Sequence, residues 1–105
     1  MSILVTGGSG KTSLILCRML EQAKIPFWAT SRKGQAGVPQ GIRAVKFDWY
    51  DQETFKPALE QDNFSAAYLV APYNPKPIEQ MASFIDQAIA KGVKRFVLCA
   101  GGVSL

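Results

Sequence analysis

The sequence predicts an α/β protein, a five-stranded parallel sheet covered by helices on both faces. Three observations carry that prediction. Five short apolar runs, at residues 3–5, 27–30, 42–49, 66–71 and 95–100, have the length of strands. Segments of helical period separate several of them, so neighbouring strands are joined by crossovers and run parallel. Three glycines within residues 7–10 follow the first run and open directly onto the first helical segment.

Ile3, Leu4 and Val5 form the first strand. From about residue 11 to 23, Ile15, Leu16, Met19, Leu20 and Ala23 recur at helical spacing and are expected to face the sheet, with Arg18, Glu21 and Gln22 largely opposite. Pro26 stops the helix, and Phe27-Trp28-Ala29-Thr30 reads as the second strand. The stretch 31–41 holds three glycines and a proline, which argues for a loop where another helix would otherwise stand. Residues 42–49 alternate around Val45 and Phe47 and read as the third strand. Asp51 or Thr54 then caps a short helix through Gln61; Pro57 favours Thr54, which places the ring in the first turn. Residues 66–71 are a buried fourth strand. Pro77 suits the first position of the next helix, whose predicted buried stripe is Ile78, Met81, Ala82, Ile85, Ala88 and Ile89, with Gly92 as its stop. Residues 95–100 supply the fifth strand. The predicted order is 3-2-1-4-5, and ligands on such sheets bind beyond the carboxyl ends of the strands, where the order reverses between strands 1 and 4. The glycine turn falls there.

The 105 residues suit one domain spanning 1–105. Its 48% hydrophobic and 19% charged residues fit a folded chain rather than a disordered one. The net charge of +4 is scattered, which argues against a nucleic-acid partner and suits a phosphorylated small molecule equally well. Histidine is absent, which removes the Ser/His and Cys/His nucleophile arrangements and most zinc sites. Cys17 and Cys99 lie in apolar runs without metal spacing, so both are expected to be packing in a reducing compartment. Neither a signal-peptide pattern nor a membrane-length apolar run is read, and the expected location is cytoplasmic, with no membrane partner.

Strand, glycine turn and helix together gather free backbone N–H groups and the positive end of a helix dipole, which attracts phosphate. Two nucleotide-binding readings compete. In a dinucleotide fold, Gly7 permits the sharp turn, Gly10 lets the backbone approach a pyrophosphate, and a small third residue, here Ser13, packs helix on strand. Ser13 in place of glycine is expected to loosen that packing without loss of the site. In a P-loop, Gly10-Lys11-Thr12 would match the end of the motif, but its first glycine falls on Val5, and Asp48 is the only acid placed to help with magnesium. The end of the second strand favours the first reading. Thr30-Ser31-Arg32-Lys33 lacks the acid that binds the ribose of NAD, while Arg32, with Ser31 and Lys33, can hold the extra phosphate of NADP(H). A solvated basic loop is the alternative. Asp48 and Trp49 could hold the adenine, Asp48 as acceptor for its amino group, or could be a strand end with an aromatic packed on the sheet.

ILVTGGSGKTS, PFWATSR, VKFDWYD, AYLVAP and FIDQAIAKGVKRFVL, in that order, resemble the NmrA-like atypical short-chain dehydrogenases, and among these the fungal clavine reductases of ergot-alkaloid biosynthesis. The resemblance implies a Rossmann-like three-layer α/β/α domain, the cofactor-binding part of a longer family fold, cut before the later strands. It implies NADP(H) as cofactor and hydride reduction of an iminium carbon in a small-molecule substrate. Gly7, Ser9, Gly10, Lys11 and Thr12 would hold the pyrophosphate, Arg32 the 2′-phosphate, and Asp48 and Trp49 the adenine side. Ala71 and Pro72 would line the path to the nicotinamide ribose. No catalytic residue is assigned: Tyr68 and Tyr73 lack the Lys four residues on that a catalytic tyrosine of that superfamily needs, because those positions are Pro72 and Pro77. The family's serines after the fifth strand are replaced here by Leu98-Cys99-Ala100-Gly101-Gly102. A non-catalytic NADP(H)-binding module of the NmrA-like type is the alternative function, and an incomplete sheet edge at the fifth strand is expected to promote self-association.

Overall fold

The computed structural model describes residues 2–7, 11–38, 41–70 and 78–99. Its strands are β1 (Ser2–Val5), β2 (Phe27–Ser31), β3 (Ala44–Lys46), β4 (Phe64–Val70) and β5 (Arg95–Cys99), and its helices are α1 (Lys11–Gln22), α2 (Phe55–Leu59) and α3 (Ile78–Ala90). All strand pairs are parallel, in the order β3-β2-β1-β4-β5, as the sequence predicts. β1 is central: Ile3 stands between Phe27 of β2 and Ala66 of β4.

Alternation along the strands sends successive residues to opposite faces. Leu4, Ala67 and Leu69 face α2 and α3, where Phe47, Trp49, Phe55 and Phe84 fill the larger core cluster. Val5, Phe27 and Ala29 face α1, packed on Cys17 and Leu20. Helices therefore cover both faces. Val97 on the edge strand β5 is 57% exposed.

Several elements differ from expectation in instructive ways. The third strand is only Ala44–Lys46, because the chain turns inward after it. Phe47 still donates its N–H to Ser31 O at 2.9 Å, but the Asp48 N–H is taken by the Thr54 hydroxyl at 3.0 Å, which ends the ladder. The helical segment that follows opens as a 3-10 turn, Gln52–Thr54, capped by Asp51, whose carboxylate accepts from Glu53 N. Thr54 makes no side-chain cap for α2, since its hydroxyl closes the Asp48 turn instead. The loop after β2 holds a single 3-10 turn, Gly34–Gly37.

Both long helices are rotated from the predicted stripe. On α1, Ile15 and Met19 are 62% and 60% exposed, while Ser13, Cys17 and Leu20 are buried. Ser13 tolerates that place because its hydroxyl donates to Thr6 O at 2.9 Å, so no polar group is left orphaned. On α3, Phe84 is fully buried and Ile89 is 57% exposed. The large ring anchors the helix and turns Ala82 and Ile89 outward.

Candidate functional site

The order of the strands reverses between β1 and β4, and the carboxyl ends of these two strands form one rim. Thr6, just past β1, extends the pairing with its side chain. Its N–H and its hydroxyl both donate to Tyr68 O at 2.9 Å, and its hydroxyl oxygen accepts from Val70 N at 2.8 Å. Gly7 follows with φ +68°, in the left-handed region. A Cβ at residue 7 would lie 3.3 Å from Val70 Cβ and 3.6 Å from Ser13 Oγ. The dihedral thus favours glycine, and the close approach of Val70 leaves a side chain there only a tight fit. The Gly7 N–H donates to Thr30 Oγ1 on β2 at 3.3 Å, which ties the turn to the second strand. α1 begins at Lys11 and carries no acidic residue in its first turn, so its positive end is not neutralised from within.

The second part of the site is the loop leaving β2. Ser31 is buried, its hydroxyl donating to Gly34 O at 2.8 Å and accepting from Lys33 N at 3.1 Å. Gly37 presses against it: a Cβ there would stand 2.9 Å from Ser31 Cβ. This lock leaves Arg32 and Lys33 exposed. Ser31, Arg32, Lys33, Ala36 and Gly37 line an open cleft of about 600 Å³. Among the described residues neither cation makes an ion pair; the two pairs present, Arg18–Glu21 and Lys91–Glu60, lie elsewhere. Guanidinium and ammonium groups without a carboxylate partner suit a phosphate.

Asp48 is half-buried, and its Oδ1 accepts from Tyr50 N at 2.9 Å. Trp49 is only 8% exposed. Its ring stands edge-on to Phe47 at 4.9 Å, Phe84 at 5.4 Å and Phe55 at 5.9 Å, and its indole N–H donates to Val70 O at 3.0 Å. Enclosed in this way, Trp49 offers no open face on which a base could stack. Sequence pattern could not show this bond, whose partners lie 21 residues apart on different elements.

Of the residues expected to form the site, Gly7 stands on the rim, Ser31, Arg32 and Lys33 in the loop, and Asp48 in the turn after β3. Thr12 is exposed on the first turn of α1, and Lys11 is its first residue. Ser9, Gly10, Ala71 and Pro72 lie outside the described residues. Thr6, Thr30 and Val70 are structural members of the rim that the motif reading passes over; a hydroxyl directly ahead of the glycine turn was the available signal for Thr6. Among the described residues two groups depart from their ordinary ionisation. Burial, and then the nearby Glu21 charge, push the Cys17 thiol up to about 11, so it is inert. The Ser2 hydroxyl holds the Asp62 carboxyl below its ordinary value, at the opposite end of the sheet from the rim. Among the described residues no cluster of three His, Cys, Asp or Glu side chains could hold a metal.

The chain is 37% identical over 107 residues to agroclavine dehydrogenase of Claviceps purpurea, a match that takes in 98% of this chain and 36% of the other. It is 42% identical to agroclavine dehydrogenase of Claviceps fusiformis, over 93% of this chain and 35% of that one. The chain is a homologue of the clavine dehydrogenases. It spans about a third of the length of those relatives. An NAD(P)H azoreductase of Xenophilus azovorans is 31% identical over 94% of the chain and 35% of its own length. No family model matches. Among solved structures, an Agrobacterium tumefaciens protein of the short-chain dehydrogenase/reductase superfamily, with bound NAD, superposes with TM-score 0.74 at 23% identity, over 93% of this chain and 32% of that one. Citrobacter triphenylmethane reductase complexed with NADP(H) gives 0.74 at 23% identity, over 93% and 36%. The chain thus shares its fold with part of each of these two structures.

Proposed function

We propose that the chain is the nicotinamide-dinucleotide-binding part of a cytoplasmic oxidoreductase, that it prefers NADP(H), and that the enzyme reduces an iminium carbon in a clavine-type small molecule. One observation carries the reading: a tight left-handed turn at Gly7 stands one strand away from a cleft lined by two cations that have no ion-pair partner among the described residues. The residues fit the group. A diphosphate needs close backbone approach, which the missing Cβ at residue 7 allows, and it gains from the un-neutralised start of α1.

Arg32 and Lys33 would bind the 2′-phosphate, the loop holding them forward through Ser31 and Gly37. The second carboxylate oxygen of Asp48, without a partner among the described residues, would accept from the adenine amino group. Residues 7–12 would hold the diphosphate, with Ala71 and Pro72 leading towards the nicotinamide ribose. Bound there, the nicotinamide supplies the hydride. An iminium carbon is already electrophilic, so positioning dominates and the lack of histidine is no obstacle. The names of the relatives, agroclavine dehydrogenase and NAD(P)H azoreductase, support both the substrate class and the cofactor.

Calorimetric titration with NADPH, NADH and ATP–magnesium tests the reading. Arg32→Glu is expected to weaken NADPH by roughly 10- to 150-fold, the loss of one charge-assisted contact of about 1.5–3 kcal/mol, with NADH changed less than about twofold. Equal effects on the two would remove the 2′-phosphate role. Tight ATP–magnesium binding without an NADPH response would put a P-loop reading in its place.

A further inference from the structure

We infer that Trp49 is a positioning residue of the dinucleotide site: through its indole N–H it sets the carboxyl end of β4 against the Gly7 turn, and so fixes the crevice the diphosphate enters. The inference rests on the dinucleotide-binding reading above.

Val70, the last residue of β4, is held from three directions. Its N–H is accepted by Thr6 Oγ1 at 2.8 Å, its carbonyl accepts from Trp49 Nε1 at 3.0 Å, and its side chain abuts the Gly7 turn, its Cβ 3.3 Å from where a Cβ on Gly7 would lie. Two of these contacts come from the rim itself. The third comes from far off in the sheet. β3, which precedes Trp49, is separated from β4 by β2 and β1, three strand spacings or about 14 Å. The turn through Asp48 carries the indole across that distance.

The support is rigid. Phe47, Phe55 and Phe84 fix the ring edge-on, so the N–H cannot swing away from its acceptor. Burial alone does not explain the bond. The other tryptophan, Trp28, keeps a buried indole nitrogen with no partner among the described residues, its ring covered by the Arg43 guanidinium at 4.7 Å. A phenylalanine at residue 49 would also fill the aromatic cluster. What tryptophan adds is the link to Val70, and Val70 is the wall of the turn.

This assigns Trp49 an effect distinct from that of Arg32. Arg32 discriminates between dinucleotides by charge, whereas Trp49 acts on the part that NADPH and NADH share. Trp49→Phe should therefore weaken both by a similar factor, roughly tenfold, and leave their ratio unchanged. The experiment titrates NADPH and NADH into the whole chain as wild type and Trp49→Phe, well below each thermal midpoint, with circular dichroism confirming the fold. Two isosteres at residue 49 separate the bond from packing and serve if Trp49→Phe does not fold. Benzothienylalanine keeps the ring shape and replaces N–H by sulfur; 7-azatryptophan keeps the N–H. Equal weakening of both ligands by phenylalanine and benzothienylalanine, with affinity restored by 7-azatryptophan, is the expected result. Wild-type affinity in the benzothienylalanine protein would overturn the assignment, as would weakening of NADPH alone. A wild-type chain that binds neither dinucleotide would overturn the underlying reading and the assignment with it.

Discussion

The rim over β1 and β4 is closed by neutral hydrogen bonds, whereas the loop after β2 is open and carries its charge outward. On the rim, the Thr6 hydroxyl, the Ser13 hydroxyl, the Gly7 N–H and both backbone groups of Val70 have partners within the protein. In the loop, Ser31 and Gln35 are spent on structure, and Arg32 and Lys33 face a cleft of about 600 Å³. The difference separates two tasks. A rim that must fit any dinucleotide needs shape and no charge of its own. A loop that must recognise one extra phosphate needs charges that nothing else neutralises, and a backbone stiff enough to present them.

The largest expected effect breaks the rim from beneath. Phe84 is fully buried and meets Phe47, Trp49 and Phe55 with ring centroids 5.1–5.4 Å away. Phe84→Ala is expected to cost about 3–5 kcal/mol of stability, read from the urea midpoint. The surviving folded fraction should bind both dinucleotides more weakly, because the ring that steadies Trp49 is gone. A loss under about 1 kcal/mol would mean the aromatic cluster is not the foundation of the rim.

Gly37→Ala attacks the loop and spares the rim. The new Cβ would stand 2.2 Å from Ser31 Oγ and 2.9 Å from Ser31 Cβ. The hydroxyl can rotate away, but the Cβ is carried on β2 and cannot. Relief needs the loop to shift and the Ser31 bonds to Gly34 and Lys33 to open, an overpacking cost of about 1–3 kcal/mol. NADPH affinity should fall severalfold with NADH nearly unchanged. Adding Ser31→Gly restores the space but not the two bonds, so stability should partly recover while discrimination does not. Full recovery of discrimination would show that the Ser31 hydroxyl does nothing to present Arg32.

The rim and the loop were unequally legible in the sequence. The strand order followed from the spacing of apolar runs, and the basic, acid-free end of β2, where Arg32 and Lys33 are exposed, could be read from the sequence. Gly7 was legible as well, since a glycine cluster after a buried strand has few uses. Helix faces were not. Ile15 and Met19 read as core and face outward, while Ser13, read as the small residue that packs helix on strand, is buried there with its hydroxyl on Thr6 O. Phe84 was available at the same spacing as Met81 and Ala88 and was passed over for smaller neighbours. For Trp49 the sequence left two readings open, a side for the adenine or an aromatic packed on the sheet, and the ring is buried in the core cluster. A strand end next to an acid gives no sign that its ring turns under the sheet to reach β4.

Cys17 offers the smallest test, one that reaches both regions together. Its side chain packs with Val5 below the rim and with Phe27 and Ala29 on the strand that ends in the loop. Burial first, and Glu21 second, raise the thiol from 9.0 to about 11, with Arg18 opposing. The folded state therefore holds this proton more tightly than the unfolded chain does. Stability is therefore unaffected by this group below pH 9 and falls as pH rises from 9 through 11, where the unfolded thiol ionises and the folded one resists. At neutral pH both states are protonated and the group contributes nothing. Urea midpoints measured from pH 8 to 11 for wild type and Cys17→Ala should diverge only in the upper part of that range, the variant having the flatter profile. Every other group is common to the two proteins and cancels in the difference. Because the thiol lies beneath β1 and β2 alike, NADPH and NADH affinities should decline in parallel as that window is crossed, and a change in their ratio would mean that the loop does not share the rim's support.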